Sequence, residues 1–185
     1  MGAAAAVSSP AGEFLRSIVF NMRSRVRNFD PNATARLRLE RARLLASAGL
    51  DEWAEGELRY AAQNEDQPHV MGLELATMAS RRSAQDQGIR YLKRYAPDYL
   101  YLPIESAPDE FWKLAFPLPY RADLERYARQ NNLDPYLLAA LARQESEFNP
   151  RAVSVASARG LTQLLPSTGR ELSRRLGIKQ YSTAR

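Results

Sequence analysis

Five prolines, Pro97, Pro103, Pro108, Pro117 and Pro119, fall within 23 consecutive residues of this 185-residue chain. Proline donates no backbone hydrogen bond and its ring collides with the preceding helical turn, so no regular helix can run through such a stretch. Helical structure must therefore lie on either side of residues 97–119, with a seam between. The seam is not a free linker. Tyr99, Tyr101, Phe111, Trp112, Phe116 and Tyr120 lie in or beside it, and that many aromatics are expected to pack. Trp112 is expected to serve burial rather than carbohydrate stacking, and Asp109 to Ala115 has room for one or two helical turns.

Before the seam the apolar residues recur with helical spacing. Residues 1–12 are rich in Ala and Ser and are expected to be disordered. They are not expected to act as a signal peptide, because no basic residue precedes an apolar run that is itself too short. Phe14, Ile18, Met22 and Val26 recur every four residues until Asp30-Pro31 interrupts them. A helix over about 33–47 follows, with Leu37, Leu44 and Leu45 as its expected apolar face and Gly49 as its stop. Asp51 is expected to cap the next, with Trp53, Leu58 and Ala61 facing inward. Pro68 opens another through Met71, Leu75 and Met78, and a last one carries Ile89, Tyr91, Leu92 and Tyr95 up to Pro97. Ala46-Ser47 aligns with Ala79-Ser80 at an offset of 33, close to the period of tetratricopeptide-like repeats. The expectation is a stack of antiparallel helical hairpins over residues 13–96. His69, the single histidine, is expected to be structural or solvated.

Beyond the seam, Leu124, Tyr127 and Ala128 share a helical face before Asn131-Asn132. Asp134 then reads as an N-cap with Pro135 at the first helical position. The body from Tyr136 to Ala142 is apolar almost all round, as in a helix buried in a core, and Asn149-Pro150 should stop it. Leu141→Asp is accordingly expected to cost several kcal/mol. Glu145 continues the face of Leu137 and Leu141, with Phe148 three residues further on, whereas Glu147 should point elsewhere and stack over Arg143. A carboxylate desolvated on an apolar face has a raised pKa and suits general acid catalysis; a helix-end glutamate reaching solvent is the other reading. Residues 154–160 are small and lack helical periodicity, which permits close backbone approach to a ligand. Gln163 offers an amide donor and acceptor, and Thr168 with Glu171 reads as a capping box for a further helix.

From Glu145 to Thr168 the pattern E-S-x-F-N-P-x-A-x-S-x-A-x-A-x-G-L-x-Q-L-x-P-x-T resembles the catalytic core of the soluble (SLT-type) lytic transglycosylases. The likeness extends upstream through Phe111-Trp112 and Phe116 to Tyr120. It implies a mainly α protein in which a helical superstructure precedes an incomplete lysozyme-like domain over residues 120–185. It implies cleavage of the β-1,4 bond between N-acetylmuramic acid and N-acetylglucosamine in peptidoglycan, giving 1,6-anhydromuramoyl ends. Glu145 would be the sole acid and base, with Ser146, Ser154, Gly160, Leu161 and Gln163 lining the glycan groove. No metal or cofactor is implied, and the bacterial periplasm or envelope is the implied location. Thr162 stands where the family usually has methionine. The family's downstream Ala-Tyr-Asn motif is not among the 185 residues, so the chain is expected to be a fragment.

Charge fits such a substrate. Residues 1–120 carry 15 basic and 15 acidic side chains, and residues 121–185 carry 11 and 6, so the net charge of +5 sits with the motif. A basic region raises encounter rates with an anionic polymer; no nucleic-acid-binding motif accompanies it. One histidine and no cysteine exclude a disulfide framework, a second histidine-based site and a multi-histidine metal centre, and no segment is long enough to span a membrane. Two other readings remain: a hydrolytic lysozyme-like muramidase, and a non-catalytic helical module that binds glycan or peptide.

Overall fold

A computed structural model describes residues 27–179 and Ser182. The helix expected over Phe14 to Val26 and the disordered start expected over residues 1–12 lie outside these residues. Among them, eight α-helices carry the architecture: α1 (Ala33–Ser47), α2 (Asp51–Asn64), α3 (Pro68–Arg81), α4 (Gln85–Tyr95), α5 (Asp109–Ala115), α6 (Arg121–Gln130), α7 (Pro135–Ser146) and α8 (Pro166–Arg175).

The starts and stops follow local chemistry. Asn32 caps α1, its side chain accepting from the Ala35 amide at 2.8 Å. Pro68 and Pro135 occupy the first turns of α3 and α7, where the missing N–H costs nothing. The α1–α2 and α3–α4 connections repeat one hydrogen-bond pattern. Gly49 N–H bonds to Ala46 and Leu50 N–H to Leu45, and likewise Ser83 N–H to Ser80 and Ala84 N–H to Ala79. Both third residues, Gly49 and Ser83, have positive φ. Leu50 and Ala84 are 34 positions apart, so the structural repeat is one residue longer than the offset of 33 read from the sequence. That expectation aligned small residues, whereas the repeat is set by the turns.

In the hairpin stack α1 packs on α2, α2 on α3, and α3 most extensively on α4. The core is Ala35, Leu39, Ala42, Leu58, Ala61, Met71, Leu75 and their neighbours. Met71, Leu75 and Met78 are buried as expected, as are Ile89, Leu92 and Tyr95. The face expected for α1 was mistaken, for Leu37 and Leu44 are exposed. The buried stripe is Ala35, Leu39 and Ala42, and the small side chains of the two alanines let α2 approach closely. Trp53 is also exposed, at 72 %, and Asp51 is the first helical residue rather than the cap. Glu55 is buried in the stack and accepts hydrogen bonds from Arg59, Arg82 and the Tyr91 hydroxyl, tying α2 to α4 and to the end of α3.

The proline-rich seam folds back onto this stack. Two short 3-10 turns, Tyr99–Tyr101 and Ile104–Ser106, lead into α5. Tyr99, Leu102, Phe111, Leu114 and Ala115 are buried with Ala76 of α3 and Leu92 of α4. Trp112 is half-buried, with its indole N–H donating to the Ile104 carbonyl at 2.8 Å and its ring stacked on Phe116. The seam therefore packs, as its aromatic content requires.

Candidate functional site

A third core, separate from the two in the stack, supports the motif. Ala139, Ala142 and Phe148 pack with Leu124 of α6, with Leu161, and with Ile89 of α4. The last contact brings a residue of the helical stack under the motif itself. Tyr127 of α6, expected on the buried face, is exposed, and only Ala128 there is fully covered.

Helix α7 starts as the sequence requires, with the Asp134 carboxylate accepting from the Tyr136 amide at 2.7 Å. Its body is not buried all round. Ala139, Ala142 and Ser146 are buried, but Leu137 is 61 % exposed, Leu141 44 % exposed, and Tyr136 also faces solvent. Alanines make the contact face because α6 lies close there, and the leucines occupy the other side. The helix ends at Ser146, before the expected stop at Asn149-Pro150. Glu147 is its C-cap in a left-handed conformation, φ +54°, and Phe148 follows at φ +64°. Two successive non-glycine residues in that region cost roughly 1–2 kcal/mol each and persist only where their surroundings fix them.

The surroundings are specific. Phe148 is buried in the third core. Glu147 accepts from Arg90 Nε at 2.8 Å and from Lys93 Nζ at 2.6 Å, both on α4. It does not stack over Arg143, because the left-handed cap turns its side chain toward the stack. Burial pushes the Glu147 carboxyl up, but the bonds from Lys93 and Arg90 outweigh it and hold the pKa below its ordinary value. Arg143 is committed elsewhere. It donates to the Ala115 carbonyl at 2.9 Å and to the Tyr99 hydroxyl, and its guanidinium lies over the Phe116 ring at 4.6 Å. The last turn of α7 is thus fastened to the seam through Arg143 and to the stack through Glu147.

Glu145 lies between these anchors. It is exposed and forms no hydrogen bond or ion pair with any described residue. It continues the face of Leu137 and Leu141, as its spacing requires, but that face is open. The desolvation expected from the sequence is therefore not supplied by the described residues.

The other motif residues form a compact loop beside the helix end. Ser146 Oγ, buried, lies 2.8 Å from the Leu161 carbonyl and 3.1 Å from that of Ala142, stapling helix to loop. Ser154 Oγ accepts from the Ala158 amide at 3.1 Å. Gly160 adopts φ +78°, which suits glycine, and its amide bonds to Ala152 at 3.0 Å. The Gln163 amide nitrogen donates to the Gly160 and Ala152 carbonyls at 2.9 and 3.2 Å. Isolated bridges pair Val153 with Arg159 and Arg159 with Leu164. Thr162 is exposed. The capping box did not form. Pro166 starts α8, Leu165 is its N-cap, and no side chain caps it. Proline's fixed φ sets the start two residues before Thr168, which leaves Glu171 to pair with Arg175. The anchors Arg90 and Lys93 were not singled out from sequence, and Tyr99 was read only as a packing aromatic, since 44 to 57 residues separate the three from their partners.

The described residues contain no group of three His, Cys, Asp or Glu placed to hold a metal ion. None of their helices is long and apolar enough to cross a membrane.

A helical stack, a packed seam and a glutamate-bearing helix end beside a small-residue loop make up a mainly helical architecture. The Transglycosylase SLT domain family model matches residues 124–185. It is 31% identical over 114 residues to the soluble lytic murein transglycosylase of Salmonella typhimurium, a match covering 58% of this chain and 17% of that protein. A transglycosylase of Enterobacteria phage PRD1 is 49% identical over 43 residues, 23% of this chain and 16% of its own. Among solved structures, an inactive glutamate-to-glutamine mutant of the lytic transglycosylase Slt from Pseudomonas aeruginosa matches with a TM-score of 0.58 at 25% identity. That match covers 94% of this chain and 27% of that one. The chain therefore spans about a quarter or less of the length of these relatives.

Proposed function

We propose that the protein is a peptidoglycan lytic transglycosylase with Glu145 as its acid and base. The observation that carries this reading is the division of roles between two neighbouring carboxylates. Glu147 is held as an anion by two cations, whereas Glu145 is exposed and has no partner among the described residues. Most glycosidases need two carboxylates flanking the scissile bond. Here the second is already committed, which favours a route assisted by the substrate itself.

In that route Glu145 protonates the glycosidic oxygen between N-acetylmuramic acid and N-acetylglucosamine as the bond breaks. The muramoyl acetamido group stabilises the electron-deficient carbon. Glu145, now a carboxylate, removes the proton from the same sugar's 6-hydroxyl, which attacks that carbon and closes the 1,6-anhydro ring. Ser146, Ser154, Gly160, Leu161 and Gln163 hold the loop that borders the glycan, and the chemistry belongs to residues 120–185. The location follows the substrate, in the bacterial envelope. The likeness to an enzyme that one glutamate-to-glutamine exchange inactivates supports a single essential glutamate.

The test is Glu145→Gln in the full-length protein, with purified peptidoglycan as substrate. Glutamine keeps the shape but cannot exchange the proton. General acid–base catalysis contributes about 10² to 10⁴ in rate, and one residue serves both steps, so turnover should fall by at least that range. The unsubstituted protein should release muropeptides lighter by one water than their hydrolytic counterparts. Comparable release by the glutamine variant would remove Glu145 from the mechanism; reducing ends alone would make the protein a hydrolytic muramidase.

A further inference from the structure

Lys93 of α4 lies four residues after Ile89 and three after Arg90, helical spacings that place it beside each of them. Ile89 shares a buried cluster with Phe148, while Arg90 and Lys93 hold the Glu147 carboxylate at 2.8 and 2.6 Å. Between them they grip the two left-handed residues that follow the last turn of α7. Nothing comparable holds Glu145 from its own side, where Leu137 and Leu141 are open to solvent. The position of its carboxyl is therefore set by the backbone of the turn that α4 holds.

We infer that Glu147 is a positioning residue, which with Arg90 and Lys93 ties the end of α7 to the helical stack and so sets where the Glu145 carboxyl meets the substrate. This rests on the reading of Glu145 as the acid. It gives the stack a part in the reaction, since two of its side chains place the proton donor without touching the glycan. Displacing a catalytic group by about 1 Å can cost roughly 10²-fold in rate, so a loosened grip should be felt in turnover before it is felt in binding. Arg90 also bonds to Asp86 at 2.6 Å within α4, which orients its guanidinium independently of Glu147.

Glu147→Gly separates this role from a merely structural one. Glycine accepts the left-handed conformation freely, so the substitution relieves the backbone while removing the tether. A role confined to the turn's conformation predicts unchanged turnover. The inference predicts kcat on purified peptidoglycan lower by about tenfold or more, with KM within about twofold and the unfolding midpoint unchanged or higher. Exchanging the charges, Lys93→Glu with Glu147→Lys, should recover much of that loss, because Arg90 retains Asp86; Glu147→Lys alone should not. Turnover by Glu147→Gly equal to that of the unsubstituted protein would overturn the inference, as would equal losses in the single and exchanged lysine variants. Absence of any product from the unsubstituted protein would instead overturn the acid assignment, and this inference with it.

Discussion

Glu145 and Leu141 share one face of α7, and the sequence predicts that they share it. It does not predict which way the face looks. Periodicity identifies neighbours on a helix, but a helix rich in both alanine and leucine can bury either set. Here Ala139 and Ala142 are buried and Leu141 is 44 % exposed, because close approach of α6 favours the smaller side chains. The several-kcal/mol loss expected for Leu141→Asp is therefore replaced by a smaller one. A charge at a half-exposed position keeps its hydration, and substitutions away from a core usually stay within about 0.5 to 1 kcal/mol. Urea unfolding of both proteins at neutral pH measures this, and a loss above about 2 kcal/mol would show that the face is covered in solution. The fate of Glu147 was equally hidden. Its partners lie 54 and 57 residues away, and no local pattern announces a left-handed cap built on glutamate.

At the scale of elements, the helices were largely legible, since capping residues, prolines and stop glycines act locally. Their contacts were less so, and two glycines show why. Gly56 lies inside α2, and a methyl group there would meet nothing within 4 Å. Gly72 lies inside α3, where an added Cβ would sit 2.7 Å from Tyr95 Cβ of α4. From sequence the two positions look alike, each a helix-interior glycine that alanine should improve by up to about 1 kcal/mol. Packing gives them opposite signs. Gly56→Ala should raise stability by about 0.5–1 kcal/mol. Gly72→Ala should lower it, because Tyr95 Cβ is fixed to its backbone and α3 and α4 must separate, at about 1–3 kcal/mol for an overpacked contact. Thermal unfolding of the pair measures both, and stabilisation by Gly72→Ala would mean that α3 and α4 are not in such close contact.

At the scale of the whole molecule, the prolines made the seam visible, but not the way that residues 27–29 brace the stack. Arg27 pairs with Asp98 at the start of the seam, and Phe29 packs edge-on against both Phe111 and His69. His69 was expected to be structural or solvated, and it is buried. Its Nε2–H donates to the Asn28 carbonyl at 2.7 Å, while Nδ1 is buried without a partner among the described residues. Burial lowers its pKa from the ordinary 6.5 and outweighs the upward effect of the Asn28 bond, while Arg27 lowers it further and Asp98 opposes that. Protonating Nδ1 would leave a buried donor and a buried charge unsatisfied. The sign follows by linkage. Between the folded and unfolded pKa values the unfolded chain binds more protons, so stability rises with pH in that window. The contribution is complete above about pH 6.5 and is lost as pH falls below it toward the depressed folded value. Unfolding midpoints in urea should therefore fall between pH 7.5 and pH 5.5, a range above the ordinary titration of the carboxylates. His69→Phe keeps a ring against Phe29 and leaves the Asn28 carbonyl with Gln67, whose amide lies 3.3 Å away. Its midpoint should change less over the same range, and parallel decline in the two proteins would remove His69 as the cause.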